Sequence, residues 1–139
     1  MNYKKNSKEE LQSYSDSELA ILLTSLILGK EWTLFSEITQ DGEHLHLADQ
    51  QGNPYFQKII NINDFNVIIE LMQLHNIGLD IDGELLSSNI PTAYHNIILA
   101  DIHGYVESAD YFFSDRKPAK AVVCCIILKL QDELFKEND

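Results

Sequence analysis

The chain has 139 residues, 45% of them hydrophobic, which is the length and composition of one globular domain and excludes disorder as the default state. A formal net charge of −12, from 22 acidic and 10 basic side chains, argues against direct binding to nucleic acid or to an anionic membrane, because every phosphate contact needs a cation. The same charge favours solubility and, where it is used for recognition, a basic protein partner.

Residues 1–14 are polar and read as a flexible amino-terminal segment, with Ser7-Lys8-Glu9-Glu10 offering at most a capped turn. Residues 15–136 read as a single α+β domain. Ser15 or Asp16 caps the first helix, in which Leu19, Leu22, Leu23, Leu26 and Ile27 recur at helical spacing before Gly29. The period then changes to two. Leu34 and Ile38 flank Ser36, Asp41-Gly42 signals a hairpin turn, and Leu45 and Leu47 alternate with His44 and His46. Residues 49–54 are a loop. Asn63 or Asp64 opens a second helix with a stripe of Phe65, Ile68, Ile69 and Met72, closed by Asn76 and Gly78.

Leu79 and Ile81 alternate with Asp80 and Asp82 in a short strand leading to Gly83, and 84–91 is a loop stopped by Pro91. Residues 93–101 and 104–113 read as two more strands turning at His103-Gly104. A short helix is the alternative for the first of them, since Ile97, Ile98 and Leu99 are consecutive. The last helix runs from Lys117 to Leu134, with Pro118 at its first position, where a missing N–H costs nothing. From Ala121 to Leu128 every residue is apolar, and a helix apolar all round must be covered on nearly all sides. The expected architecture is a small antiparallel sheet of four to five strands packed with about three helices, the carboxy-terminal helix central.

Cys124 and Cys125 are adjacent inside that helix. They point about 100° apart, which does not suit a mutual disulfide, and they lack the gap that chelates zinc. Two buried thiols fit a reducing, cytoplasmic compartment. No apolar run reaches the roughly 20 residues that span a bilayer. Serine elbow, glycine-rich phosphate loop and accessible Cys–His pair are all missing from the sequence, so no catalytic residue, cofactor or metal is assigned. His44 and His46 share a strand face by spacing, and His95, Asp101 and His103 extend that set as a metal-binding alternative. A solvated strand face is the simpler account. Asp80 and Asp82 share a face likewise and read as solvated.

The aromatic residues Trp32, Tyr55, Phe56, Tyr105, Tyr111, Phe112 and Phe113 suit either a core or an interface. Because Tyr111, Phe112 and Phe113 are consecutive, alternation sends at least one of them to the outer sheet face. Tyr105, Tyr111 and Phe113 are the candidate interaction surface. The oligomeric state stays open, with a homodimer through the sheet edge or the aromatic face among the arrangements allowed.

Three stretches together resemble the NinX-like family of tailed-phage proteins. They are Ser15-Asp16-Ser17-Glu18-Leu19 entering a helix, the passage from Asp64-Phe65-Asn66-Val67-Ile68-Ile69 to Ile77-Gly78-Leu79, and Lys117-Pro118-Ala119-Lys120-Ala121 before the apolar run. Lys117 and Lys120 stand where the family pattern has asparagine and arginine, and the hairpin at 32–48 is this chain's own. The resemblance implies a phage or prophage origin and carries no activity and no catalytic residue with it. The expected function is that of an acidic accessory protein that binds another protein. An immunity- or antitoxin-like inhibitor of a basic enzyme is the alternative, and a histidine-based metal protein or enzyme the third reading.

Overall fold

The computed structural model describes residues 5–29, 33–40, 42–49, 51–53, 59–84, 88–99 and 106–136. Among these it is an α+β fold with four helices and five strands. Packing divides the chain into two compact units, residues 1–61 with 130–139, and residues 62–129. The final helix belongs to both.

In the first unit, a short helix stands where at most a capped turn was expected. Helix α1 (Lys8–Ser13) has a full capping box: the Ser7 hydroxyl accepts from the Glu10 N–H, and the Glu10 carboxylate accepts from the Ser7 N–H. The fourth position of that turn, Leu11, has no exposed surface. One buried leucine gives a short polar helix the tertiary anchor that its composition does not advertise.

Helix α2 (Asp16–Leu28) repeats the capping box with Ser15 and Glu18, and Gly29 ends it at φ +86°. Its burial is wider than an amphipathic stripe, because Leu22 to Leu26 are all buried, Thr24 and Ser25 included. Both hydroxyls bond back to their own helix, Thr24 to the Ala20 carbonyl and Ser25 to that of Leu22, each at 2.7 Å. Buried hydroxyls satisfied in this way cost little. Thr24 also accepts from the Ile60 N–H at 3.1 Å, tying the later loop to the helix. Ile27, expected in the apolar stripe, is exposed instead.

Strands β1 (Thr33–Thr39) and β2 (Gly42–Ala48) form the expected hairpin, antiparallel, with Leu34 opposite Leu47, Ser36 opposite Leu45 and Thr39 opposite Gly42. Gly42 is therefore a paired strand residue. Its expected turn companion, Asp41, lies outside the described residues.

Beyond the hairpin, Asp49 organises the loop. Its carboxylate accepts from the backbone N–H of Asn53 and of Gln51 and from the Asn53 side-chain amide. These bonds, the Asn53 backbone first, hold its pKa below the ordinary carboxylate value. A depressed folded value means the stabilisation is complete above the unfolded carboxylate range and is lost as pH falls through the folded value. The difference in melting temperature between the parent and Asp49→Ala is accordingly expected to be full near neutrality and to shrink in acid.

In the second unit, helix α3 (Phe65–His75) is capped by Asp64, whose carboxylate accepts from the Asn66 N–H, and ends at Asn76 in the left-handed region, φ +56°. Its buried face is Ile68, Leu71 and His75. Phe65, expected in the stripe, is exposed: it is turned about 60° from Ile68 in the sense opposite to Leu71. Strand β3 (Ile77–Asp80) follows directly.

Strands β4 (Thr92–Leu99) and β5 (Val106–Ser114) complete an antiparallel sheet of order β3-β4-β5, so residues 93–99 are strand and the short-helix alternative falls. Their expected turn at His103-Gly104 lies outside the described residues. The five strands thus form a sheet of three and a hairpin of two, where one sheet was expected. β3 stops at Asp80, so Ile81 and Asp82 lie beyond the strand and are exposed.

Helix α4 (Pro118–Lys136) begins with proline as its first residue and packs against the sheet. Asp115 accepts from the Lys117 N–H at 2.8 Å, and Lys117 accepts the first helical bond from Ala121. Every residue from Ala121 to Ile127 has no exposed surface, Cys124 and Cys125 among them. The apolar run is thus enclosed from Ala121 to Ile127, and Leu128, its last residue, is half-buried. No helix among the described residues is long and apolar enough to cross a membrane.

Candidate interaction surface

The register of β3, β4 and β5 assigns each residue to a face. Ile77, His95 and Tyr111 lie in one row, and Leu79, Ala93 and Phe113 in the next row of the same face. Ala93 and Phe113 are fully buried there, so this face belongs to the core. The opposite face carries the row Gly78, Tyr94, Phe112 and the row Asp80, Thr92, Ser114.

That register corrects the candidate surface. Phe113 is 1% exposed and is a core residue, while Phe112, its neighbour, is 41% exposed. Tyr111 shares the core face and is half-buried. Tyr105 lies outside the described residues, as do Trp32, Tyr55 and Phe56. The exposed aromatic predicted from the consecutive run exists, and it is Phe112.

On the outer face Phe112 has Tyr94 as its cross-strand partner, and the Tyr94 ring lies over Gly78, occupying the space a side chain on Gly78 would take. A glycine next to an aromatic lets the ring lie flat on the strand. Tyr94 is half-buried by this arrangement, which leaves Phe112 the more open of the two.

The adjoining row is closed by a loop. Thr92 is completely buried and its hydroxyl sits between those of Ser88 at 2.6 Å and Ser114 at 2.7 Å, with the Ile90 carbonyl at 3.0 Å. The Gly83 carbonyl accepts from the backbone N–H groups of Ser88 and Asn89. Gly83 has φ +68°, and the backbone of Ile90 and the Ser88 hydroxyl stand where a Cβ would be. Gly83→Ala therefore combines left-handed strain with a backbone collision, and a loss of roughly 2 kcal/mol or more is expected in denaturant unfolding. Parental stability would mean the loop is not closed over Thr92.

The histidine alternative finds one described side chain in the sheet. His95 is half-buried, its ring 6.0 Å from that of Tyr111 and its Nδ1 3.8 Å from Asp110 Oδ2, beyond hydrogen-bond reach. That nitrogen is buried and has no hydrogen-bond partner among the described residues. His103 and Asp101 lie outside the described residues, as do the side chains of His44 and His46, whose backbones pair with Glu37 and Phe35. Among the described residues no three His, Cys, Asp or Glu side chains gather as a metal site. Asp80 is half-buried and Asp82 exposed, the one in β3 and the other past its end, so the strand does not hold them as a pair.

Other exposed apolar side chains are Phe65 and Leu74 on α3 and Ile81 after β3. Phe65 and Leu74 are nine positions apart, half a turn out of phase, and cannot make one patch on the helix.

No family model matches the chain, and no curated protein or solved structure matches it.

Proposed function

We propose that the chain is a small acidic accessory protein that acts by binding another protein and carries no catalysis of its own. The observation that carries this reading is an exposed aromatic on the outer sheet face, Phe112 beside the half-buried Tyr94, on a chain with a net charge of −12. Aromatic side chains supply contact area at an interface, and a surplus of one sign steers a partner of the other. A basic protein fits both. The charge disfavours nucleic acid and anionic membrane.

The resemblance of most of the chain from residue 15 to NinX-like phage proteins supports a phage or prophage setting, and the buried thiols of Cys124 and Cys125 support a reducing, cytoplasmic one. An immunity- or antitoxin-like inhibitor of a basic enzyme is the second reading, favoured by the same charge. It differs by one outcome, since the complex would then abolish the partner's activity.

The test is affinity for the captured partner as a function of salt. Between about 0.05 M and about 0.5 M the Debye length falls from roughly 14 Å to roughly 4 Å, so charge-led binding is expected to weaken steeply. Binding that ignores salt, or that survives Phe112→Ser unchanged, would overturn the proposal.

A further inference from the structure

One contact fixes the hydrogen-bond phase of the three-stranded sheet. The Asp115 N–H donates to the Pro91 carbonyl at 3.0 Å, one pair beyond Thr92 and Ser114, so Pro91 and Asp115 are a bonded pair. Bonded and non-bonded pairs alternate along an antiparallel ladder, so Thr92 and Tyr94 turn their backbone groups away from β5 and towards β3. Their partners there are Asp80 and Gly78. Ile77 and Leu79 therefore direct their N–H and C=O groups the other way, off the edge of the sheet.

That edge has no strand beside it among the described residues, because β3 ends the order β3-β4-β5. Neither Ile77 nor Leu79 makes a backbone hydrogen bond outside the ladder there. Yet Ile77 is 6% exposed and Leu79 is half-buried, and backbone groups withdrawn from water are nearly always paired. β3 carries neither proline, lysine nor bulge, the usual obstacles to a further strand.

Charge names the kind of partner. Between Lys58 and Arg116 the chain has nine acidic side chains and no lysine or arginine. Asp80, Asp82 and Glu84 of that set fall at the end of β3 and just beyond it. A second copy would bring the same charge against itself, whereas a basic segment complements it. On the outer face the Tyr94 ring lies over Gly78, so a cationic side chain opposite Gly78 would meet that ring.

We infer that the outward edge of β3 accepts an extended segment of a basic protein as an antiparallel fourth strand. Residues of the segment opposite Ile77 and Leu79 exchange backbone hydrogen bonds with them and carry apolar side chains on that same face. The residues between turn lysine or arginine to the outer face, against Tyr94 and beside Asp80.

The peptide acetyl-Lys-Val-Lys-Val-Lys-Val-Lys-amide, added to the full isotope-labelled chain, tests this by NMR shifts and amide exchange. Exchange at the Ile77 and Leu79 N–H groups is expected to slow about tenfold or more at saturation, with Gly78 and Asp80, already bonded to β4, unchanged. A copy N-methylated at its valines loses the donors that face β3 and should bind about tenfold more weakly or worse. A copy N-methylated at its lysines, whose N–H groups point away, should bind as the parent peptide does. Equal binding by the two methylated peptides, or the reverse order, would overturn the added strand. So would an absence of binding, or shifts spread over the acidic surface with Ile77 and Leu79 unaltered. Phe112 lies on β5, across β4 from this edge, so each of these results leaves the contact proposed there to its own test.

Discussion

Replacing Ile126 with Asp is expected to abolish cooperative folding. Ile126 has no exposed surface, and neither have Ala121, Val122, Val123, Cys124, Cys125 and Ile127. Seven consecutive helical residues sweep about 700°, nearly two full turns, so α4 has no rotation that would bring position 126 to water. A carboxylate there has to remain charged without a partner or take up a proton, and each course costs several kcal/mol. Loss of the isoleucine's own burial adds roughly 2 kcal/mol. Against a total of about 5–15 kcal/mol for a domain, that sum leaves little or no folded protein. Circular dichroism on heating should show no sigmoidal transition. Ile126→Val at the same site should lower stability by only about 1 kcal/mol, which separates the charge from the loss of bulk. A parental melting curve for the aspartate variant would contradict enclosure of the helix.

That enclosure was readable because it needs no phase. A run with no polar residue over two turns leaves one outcome in water, whatever packs around it, and the proline at its head marks the first residue. Capping chemistry was equally local. Ser15 with Glu18 and Asp64 ahead of Phe65 define their helix starts through side chains at fixed offsets. The same signal was present at Ser7 and Glu10. It looked weak because the helix it opens is six residues long and its stabilising contact, Leu11, depends on surfaces far away in sequence. The pairing of Asn6 with Gln131 spans 125 positions, and no local pattern announces it.

Phase was where the sequence misled. On α3 an i, i+3, i+4, i+7 stripe starting at Phe65 and the observed face of Ile68, Leu71 and His75 overlap in Ile68 alone. Both are apolar enough to be read as the core side, and a buried histidine at the helix end hides the second. Phe113 was placed on the candidate surface for a related reason. Three aromatics in a row make alternation ambiguous within the run itself. The neighbours resolve it: Asp110 and Ser114 are of the same parity as Phe112, so polar residues mark that parity as the outer one. The histidine set could not be judged from spacing, because convergence of separate strands is a property of register.

Phe113→Ala and Phe112→Ser test that phase directly. The two residues are chemically identical neighbours, one 1% and the other 41% exposed. Phe113 lies in a row with Ala93 and Leu79, and Ala93 supplies no bulk to fill what the ring would vacate. A large-to-small change there combines lost transfer energy with a cavity, and a fall of about 3–5 kcal/mol is expected in chemical denaturation, seen as a shift of midpoint at unchanged slope. Phe112 stands on the outer face with water on one side, so its replacement by serine should change stability by about 1 kcal/mol or less. The order reverses for recognition: Phe112→Ser should weaken a partner that docks on this face, because the ring's exposed area is what such a contact would cover. Equal destabilisation by the two substitutions would mean β5 is rotated from the register given by Ala93 opposite Phe113. A stable Phe112→Ser variant that still binds at parental strength would leave β5 in place and overturn the proposal that rests on this face.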